Sequence, residues 1–218
     1  MSIEPTPITA ELADYVTARA GGRDEALLEV ERETAALGPK AVMQTSPEQA
    51  ALLELLARSV GARRAIEVGT FTGYGAIRIA RGLGPDGSLI CCELDPHWAE
   101  VAQRNLEAAG VAERVELRVG PAIDTLRSLP ADPAFDFAYL DADKAGYPDY
   151  YDELVPRLNP GGLLAIDNVL LSGRVLDPPE GDEGAAAVAA LNDRIPDDGR
   201  VDSVMLAMAD GLTLVRRR

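Results

Sequence analysis

Lysine is almost missing from this sequence. Of 21 basic residues only Lys40 and Lys144 are lysine, and the rest are arginine. Arginine pairs with carboxylates but keeps its proton near neutral pH, whereas lysine can give it up, which singles out the lysine in "DADK". Cysteine is as scarce. Cys91 and Cys92 stand side by side in an apolar run. Neighbours on a strand face opposite sides, so they are poorly placed to bridge each other and read as small buried hydrophobes in a reducing compartment. The single histidine, His97, follows "DP" at a helix start and reads as structural or solvated, which disfavours a zinc centre. Positive charge is short overall, with 36 acidic residues and a net charge of −15. Such a surface repels a polyphosphate backbone, so nucleic acid is not an expected partner. No apolar run is long enough to span a bilayer, and "MSIEPTPITAELADY" lacks the basic and apolar regions of a secretory signal. A cytoplasmic location with no membrane partner is expected.

The chain has 218 residues, 47% of them hydrophobic, enough for one sizeable core. One domain is expected over 1–218, with N-terminal helices over 1–62 and an α/β core over 63–218. Thr6 or Thr9 caps a helix near 10–20, and a second runs from Asp24 to Leu37. Ser46-Pro47-Glu48-Gln49 is a helix start with a serine N-cap, proline in the first turn and glutamine three residues after the cap. From Arg64 strands alternate with helices. Strands are expected over 64–70, 88–94, 114–120, 135–142 and 161–168. Helices follow over 74–83, 96–109, 121–128, 147–158 and 184–195. The tail "VDSVMLAMADGLTLVRRR" reads as a hairpin turning at "ADG". This alternation argues for a Rossmann-like, doubly wound, seven-stranded sheet, mostly parallel, closed by an antiparallel C-terminal hairpin at its edge.

In such sheets ligands bind beyond the carboxyl ends of the strands, where strand order reverses. The first strand ends in "EVGTFTGYG". A dinucleotide site wants G-x-G-x-x-G, but from Gly69 the spacing is G-x-x-x-G-x-G, and Glu67 stands two residues before it. A carboxylate there repels a pyrophosphate and suits a cationic or amine-bearing ligand. Glu93, at the end of the second strand, can accept two hydrogen bonds from a ribose diol. It could instead be a capping acid near Pro96. Together these features suit S-adenosylmethionine, a nucleoside joined to a sulfonium and an amino acid.

The stretch "YLDADKAGY" places Asp141 at the end of the fourth strand, and "IDN" places Asp167 and Asn168 at the end of the fifth. If those strands are neighbours, two carboxylates and an amide oxygen converge in an open, hard-oxygen set suited to Mg²⁺. Asp141 and Asp143 could instead be helix caps, and Asp167-Asn168 a turn. Beside a divalent cation, Lys144 has its extra proton disfavoured by like charge and can accept the proton of an acidified hydroxyl. The plainer alternative for Lys144 is an ion pair with Asp141 or Asp143.

These residues carry a resemblance. "MQTSPEQ", "IEVGTFTGYGAIRIA", "GPAIDTL", "YLDADKAGY" and "IDNVLLSG" stand in the order and spacing of the cation-dependent class I O-methyltransferases of the caffeoyl-CoA and catechol type. The chain resembles that family from about residue 8 to 218, and is similar to its bacterial members. The resemblance implies metal ligands Asp141, Asp167 and Asn168, with Lys144 as catalytic base. It implies contacts to S-adenosylmethionine at Thr45, Glu67, Gly69, Thr70, Gly75, Glu93, Ala122, Asp141 and Asp143. It also implies a homodimer, a divalent cation (most often Mg²⁺) and a vicinal dihydroxy aromatic substrate. Three positions depart from the family pattern. Gly75 replaces a serine, Glu93 replaces a frequent aspartate, and Ser172 stands where plant caffeoyl-CoA enzymes carry asparagine, which counts against a coenzyme A thioester. The competing readings are a nicotinamide-dependent oxidoreductase, which the glycine spacing and Glu67 oppose, and a cofactor-binding protein without catalysis.

Overall fold

The computed structural model describes residues 6–218. Helices α1 (Ala10–Thr17), α2 (Glu25–Ala35) and α3 (Pro47–Ser59) precede the sheet. Each starts where a side-chain oxygen meets a free amide of the first turn: Thr9, Asp24 and Ser46 accept from the backbone N–H of Leu12, Leu27 and Gln49. Of the two threonines considered for α1, Thr9 is the cap. Between α2 and α3 the chain forms a 3-10 turn over Gly38–Met43 that the sequence did not announce.

Seven strands then make one sheet: β1 (Arg64–Val68), β2 (Ser88–Glu93), β3 (Val115–Val119), β4 (Phe135–Leu140), β5 (Leu158–Asp167), β6 (Val201–Leu206) and β7 (Leu212–Arg217). Their order is β3-β2-β1-β4-β5-β7-β6. Strands β1 to β5 are mutually parallel, and β7 is antiparallel to both β5 and β6. The closing antiparallel hairpin forms the edge of the sheet as expected. Its antiparallel strand lies one place inside, and the edge strand β6 runs in the direction of β1 to β5. Strand β5 also starts earlier than expected, at Leu158. The bend residues "NPGG" are absorbed by a register shift opposite Phe135 and Phe137.

The intervening helices are α4 (Tyr74–Gly82), α5 (Pro96–Ala108), α6 (Ala122–Ser128), α7 (Tyr147–Arg157) and α8 (Glu183–Arg194). They divide the core in two. Ala65, Cys91, Phe137 and Tyr139 belong to the core shared with α2, α3 and α4. Ile66, Cys92, Ala138 and Leu140 belong to the core shared with α6, α7 and α8. The strict alternation is the strand period of two, and it puts Cys91 and Cys92 on opposite faces as expected. Both are buried free thiols. Helices α2 and α3 lend Leu27, Val30, Ala50, Leu53 and Ala57 to the first core. Among the described residues no helix is long and apolar enough to cross a membrane.

Gly69 closes β1 with φ +92°, and a Cβ there would lie 1.9 Å from the backbone oxygen of Asp141. Left-handed strain and overpacking against fixed backbone add together. Gly69→Ala is expected to cost about 3 kcal/mol or more, read as a lowered urea midpoint with unchanged slope.

Candidate active site

Three strand ends are stitched side by side. The Gly69 N–H donates to the Cys92 carbonyl at 3.0 Å, and the Asp141 N–H donates to the Val68 carbonyl at 2.8 Å. Strand β5 pairs with β4 and ends at Asp167. These ends border a cavity of about 1010 Å³. Every candidate site residue lines it: Thr45, Glu67, Gly69, Thr70, Gly75, Glu93, Ala122, Asp141, Asp143, Lys144, Asp167 and Asn168. The strands brought these positions together because β1, β2, β4 and β5 are neighbours with their carboxyl ends on one side.

On the β1 side, Gly73 takes φ +86° as the N-cap of α4, the left-handed geometry that a side chain would resist. Glu67 is 1% exposed and accepts a hydrogen bond from the Cys91 thiol at 3.4 Å. Burial pushes its carboxyl up to about 8, against hydrogen bonds from Thr70 and Cys91 that pull it down, with the charges of Asp141 and Glu93 adding to the rise. Gly75 faces it: a Cβ at that position would stand 2.7 Å from Glu67 Oε1. Glu93 holds the loop from beneath. Its Oε2 accepts from the backbone N–H of Thr70 and Phe71, and its Oε1 from that of Asp95. The cap of α5 is Asp95, which accepts from the His97 N–H. So Glu93 positions the glycine loop while lining the cavity. His97 is exposed and packs edge-on to Trp98.

On the β4–β5 side, Lys144 Nζ donates to Asp141 Oδ1 at 2.9 Å, to the Ala142 carbonyl at 2.9 Å and to the Tyr147 hydroxyl at 2.8 Å. The ion pair considered from the sequence is present, with Asp141 as the partner. Asp143 does act as a cap, accepting from the Gly146 N–H and also from the Tyr150 hydroxyl. Asp167 is 4% exposed; its Oδ1 accepts from the Asn168 N–H and its Oδ2 from the Tyr139 hydroxyl, both at 2.6 Å. Its carboxyl is displaced upward, first by burial and then by the charge of Asp141. Asn168 sits at φ +51°, the left-handed region that asparagine tolerates better than most residues.

The donor set fits a hard divalent cation. Asp141 and Asp167 repel each other across the cavity edge, and a cation between them would relieve that repulsion. Among the described residues no three His, Cys, Asp or Glu side chains form a metal group. The oxygen donors that line the cavity here are the carboxylates of Asp141 and Asp167 and the amide of Asn168, the donor types that a hard cation such as Mg²⁺ takes. Sequence reasoning missed the tyrosines. Tyr139, Tyr147 and Tyr150 each bond a candidate residue, and Gln49 joins Tyr139 from α3. The signal was available in the strand "FDFAYL", since a buried tyrosine hydroxyl needs a partner.

A sheet ordered 3-2-1-4-5-7-6, with an acidic cavity at the parallel strand ends, defines a class I methyltransferase fold. The profile of the O-methyltransferase family matches residues 17–218. The chain is 36% identical over 207 residues to the catechol O-methyltransferase of Niastella koreensis, covering 92% of this chain and 93% of that one. It is 37% identical over 180 residues to a probable caffeoyl-CoA O-methyltransferase of Dictyostelium discoideum, covering 81% and 78%. The crystal structure of the O-methyltransferase TomG from Streptomyces achromogenes, in complex with S-adenosylmethionine, superposes with a TM-score of 0.87 at 34% identity, covering 95% and 96%. The chain belongs to this O-methyltransferase family, and it is an S-adenosylmethionine-dependent O-methyltransferase.

Glu67 has a pH signature. Its folded value of about 8 exceeds the ordinary 4.5, so between those values the folded protein holds a proton that the unfolded chain releases. Stability from this group is present at low pH and is lost as pH rises through that window. Urea melts of the ligand-free protein should show falling stability from pH 5 to about pH 8. Glu67→Gln should flatten that slope by at least ~1 kcal/mol, since one unit of displacement corresponds to ~1.4 kcal/mol.

Proposed function

We propose that the chain methylates one hydroxyl of a vicinal dihydroxy aromatic, with a divalent cation held by Asp141, Asp167 and Asn168. The observation that carries this reading is that those three oxygen donors and Lys144 line one cavity together with the glycine loop. The Niastella relative is named for catechol, which supports a free dihydroxy aromatic.

Glu67, Gly69, Thr70, Gly75, Glu93 and Ala122 would hold S-adenosylmethionine, with Thr45 and Asp143 closing on it from the flanking segments. The acidic wall suits a ligand carrying a sulfonium and an ammonium group. Bound at Asp141, Asp167 and Asn168, a divalent cation would supply Lewis acidity toward a substrate hydroxyl. With one ammonium proton first lost to solvent, Lys144 Nζ would take the proton of that hydroxyl through the lone pair so freed. The oxygen gains the methyl carbon as the carbon–sulfur bond breaks, leaving a neutral thioether and a methoxy product. Tyr147 orients Lys144: its hydroxyl accepts from Nζ and donates to the Asp167 carbonyl at 3.1 Å, which leaves Nζ tied to the end of β5.

Charge narrows the substrate. Among the described residues the cavity is lined by Glu93, Asp95, Asp141, Asp143, Asp167 and Asp210, with Lys144 as the one lysine or arginine, while Glu67, raised to about 8, is largely uncharged near neutral pH. Helix α8 packs beside that lysine, since a Cβ on Gly184 would stand 3.3 Å from Lys144 Cβ. That acidic lining opposes the phosphates of coenzyme A and favours a neutral or cationic ring.

Methyl transfer from labelled S-adenosylmethionine to catechol, caffeate and caffeoyl-coenzyme A tests the proposal. Transfer to a free catechol, abolished by EDTA and restored by Mg²⁺, is the expected result, with the coenzyme A ester slower. Transfer that survives EDTA would remove the cation from the mechanism. Lys144→Ala should lower turnover by about 10²- to 10⁴-fold with cofactor affinity changed little. Unchanged turnover would remove Lys144 as the base.

A further inference from the structure

We propose that Tyr139 is a positioning residue that locks Asp167 in the orientation a divalent cation requires. The inference rests on the cation reading above and concerns a residue on the far side of the ligand. Tyr139 lies in β4, is 1% exposed and pairs in register with Ala165 of β5. Two residues beyond Ala165, on the same face, stands Asp167. The small alanine leaves room for the phenol to reach along β5, and its hydroxyl donates to Asp167 Oδ2 at 2.6 Å.

The hydroxyl has one proton and two lone pairs, and all are committed. An ionised Asp167 can only accept, so the proton goes there. Gln49 Nε2 at 3.2 Å must then donate to the Tyr139 oxygen, and so must Thr45 Oγ1 at 3.1 Å. The phenol is thus held from the start of α3 while it holds β5. At the other carboxylate oxygen, Asn168 N–H donates to Oδ1 at 2.6 Å. Asp167 is gripped at both oxygens, so its plane cannot turn, and the lone pairs that remain are presented to the cavity beside Asp141.

Packing alone does not call for this hydroxyl. Phe137, two residues earlier on the same face of the same strand, is fully buried as a phenylalanine. With Tyr139→Phe, Oδ2 loses its donor, Asp167 is free to turn away from Asp141, and Gln49 and Thr45 lose their acceptor. Hydrogen-bond partners behind metal ligands typically govern metal affinity by about 10- to 100-fold. A purely structural phenol would affect unfolding but not metal affinity.

The test measures Mn²⁺ binding by the loss of the free-ion EPR signal, with no substrate and no turnover. Wild type, Asp141→Asn and Tyr139→Phe are compared, and S-adenosylmethionine affinity is measured by calorimetry as a control for the cavity. The expected result is Mn²⁺ binding by wild type, loss in Asp141→Asn, and binding weakened about tenfold or more in Tyr139→Phe with cofactor affinity within about twofold of wild type. Equal Mn²⁺ affinity in wild type and Tyr139→Phe would overturn the positioning role while leaving the cation site standing. A wild type that binds no Mn²⁺ would overturn the cation reading and this inference with it. Should Tyr139→Phe not fold, Thr45→Val decides, because it removes a donor to the phenol while leaving in place Gln49, which also bonds Asp167. Weakened Mn²⁺ binding there supports the role, and wild-type binding overturns it.

Discussion

Much of the structure depends on the close pass between Gly69 and the Asp141 carbonyl. A methyl group at residue 69 would lie 1.9 Å from that oxygen, so the ends of β1 and β4 approach as nearly as backbone allows. The Asp141 N–H bonds to Val68 across the same gap. This contact sets where the β4 loop leaves the sheet, and hence where Asp141, Asp143 and Lys144 stand relative to the glycine loop. A side chain at 69 would push the two halves of the cavity apart. The two halves are where one ligand would bring a methyl group and another a hydroxyl, and transfer requires them within near-contact distance.

The second constraint is electrostatic. Burying Glu67 and Asp167 as charged groups next to Asp141 works against folding, as the upward displacement of both carboxyls shows. The protein offsets part of that cost internally. Lys144 sits on Asp141, the Cys91 thiol and the Thr70 segment serve Glu67, and Tyr139 and Asn168 serve Asp167. What remains uncompensated is negative and faces the cavity. A fold optimised only for stability would have placed apolar side chains there. The residual charge is what a cationic cofactor and a divalent ion could neutralise, so stability and ligand binding are linked through the same carboxylates.

The sequence made much of this legible, for reasons that can be named. Alternating strands and helices gave the sheet, because a nearly continuous apolar run such as "FDFAYL" is buried on both faces only between helix layers. The strand-end acids were legible because a carboxylate directly after a buried strand has few structural reasons to be there. The hairpin and its place at the sheet edge were legible, but the order of its two strands was not. Whether β6 or β7 pairs with β5 depends on long-range register, and the turn at "ADG" fits either. The 3-10 turn over Gly38–Met43 was also hidden, since it buries no residue and so leaves no local apolar period. The roles of the tyrosines were illegible for a different reason. A hydroxyl at the end of a phenyl ring bonds across two strands, and sequence spacing within one strand carries no record of its partner.

Gly75 shows how a departure from the family pattern becomes intelligible only in three dimensions. Read as a string, it is a serine lost from the cofactor loop. In the structure the space a side chain would fill lies 2.7 Å from Glu67 Oε1 and 3.6 Å from Thr45 Oγ1. Two oxygens thus already converge on that point from β1 and from the start of α3. A serine there would need Glu67 to shift, and Glu67 is surrounded: it is fully buried, takes the Cys91 thiol, and pairs in register with Tyr139 on the neighbouring strand. Glycine at 75 and the inward carboxylate at 67 are therefore one local solution. The polar contact that a loop hydroxyl would have made can be supplied instead by groups that the sheet and α3 hold rigid.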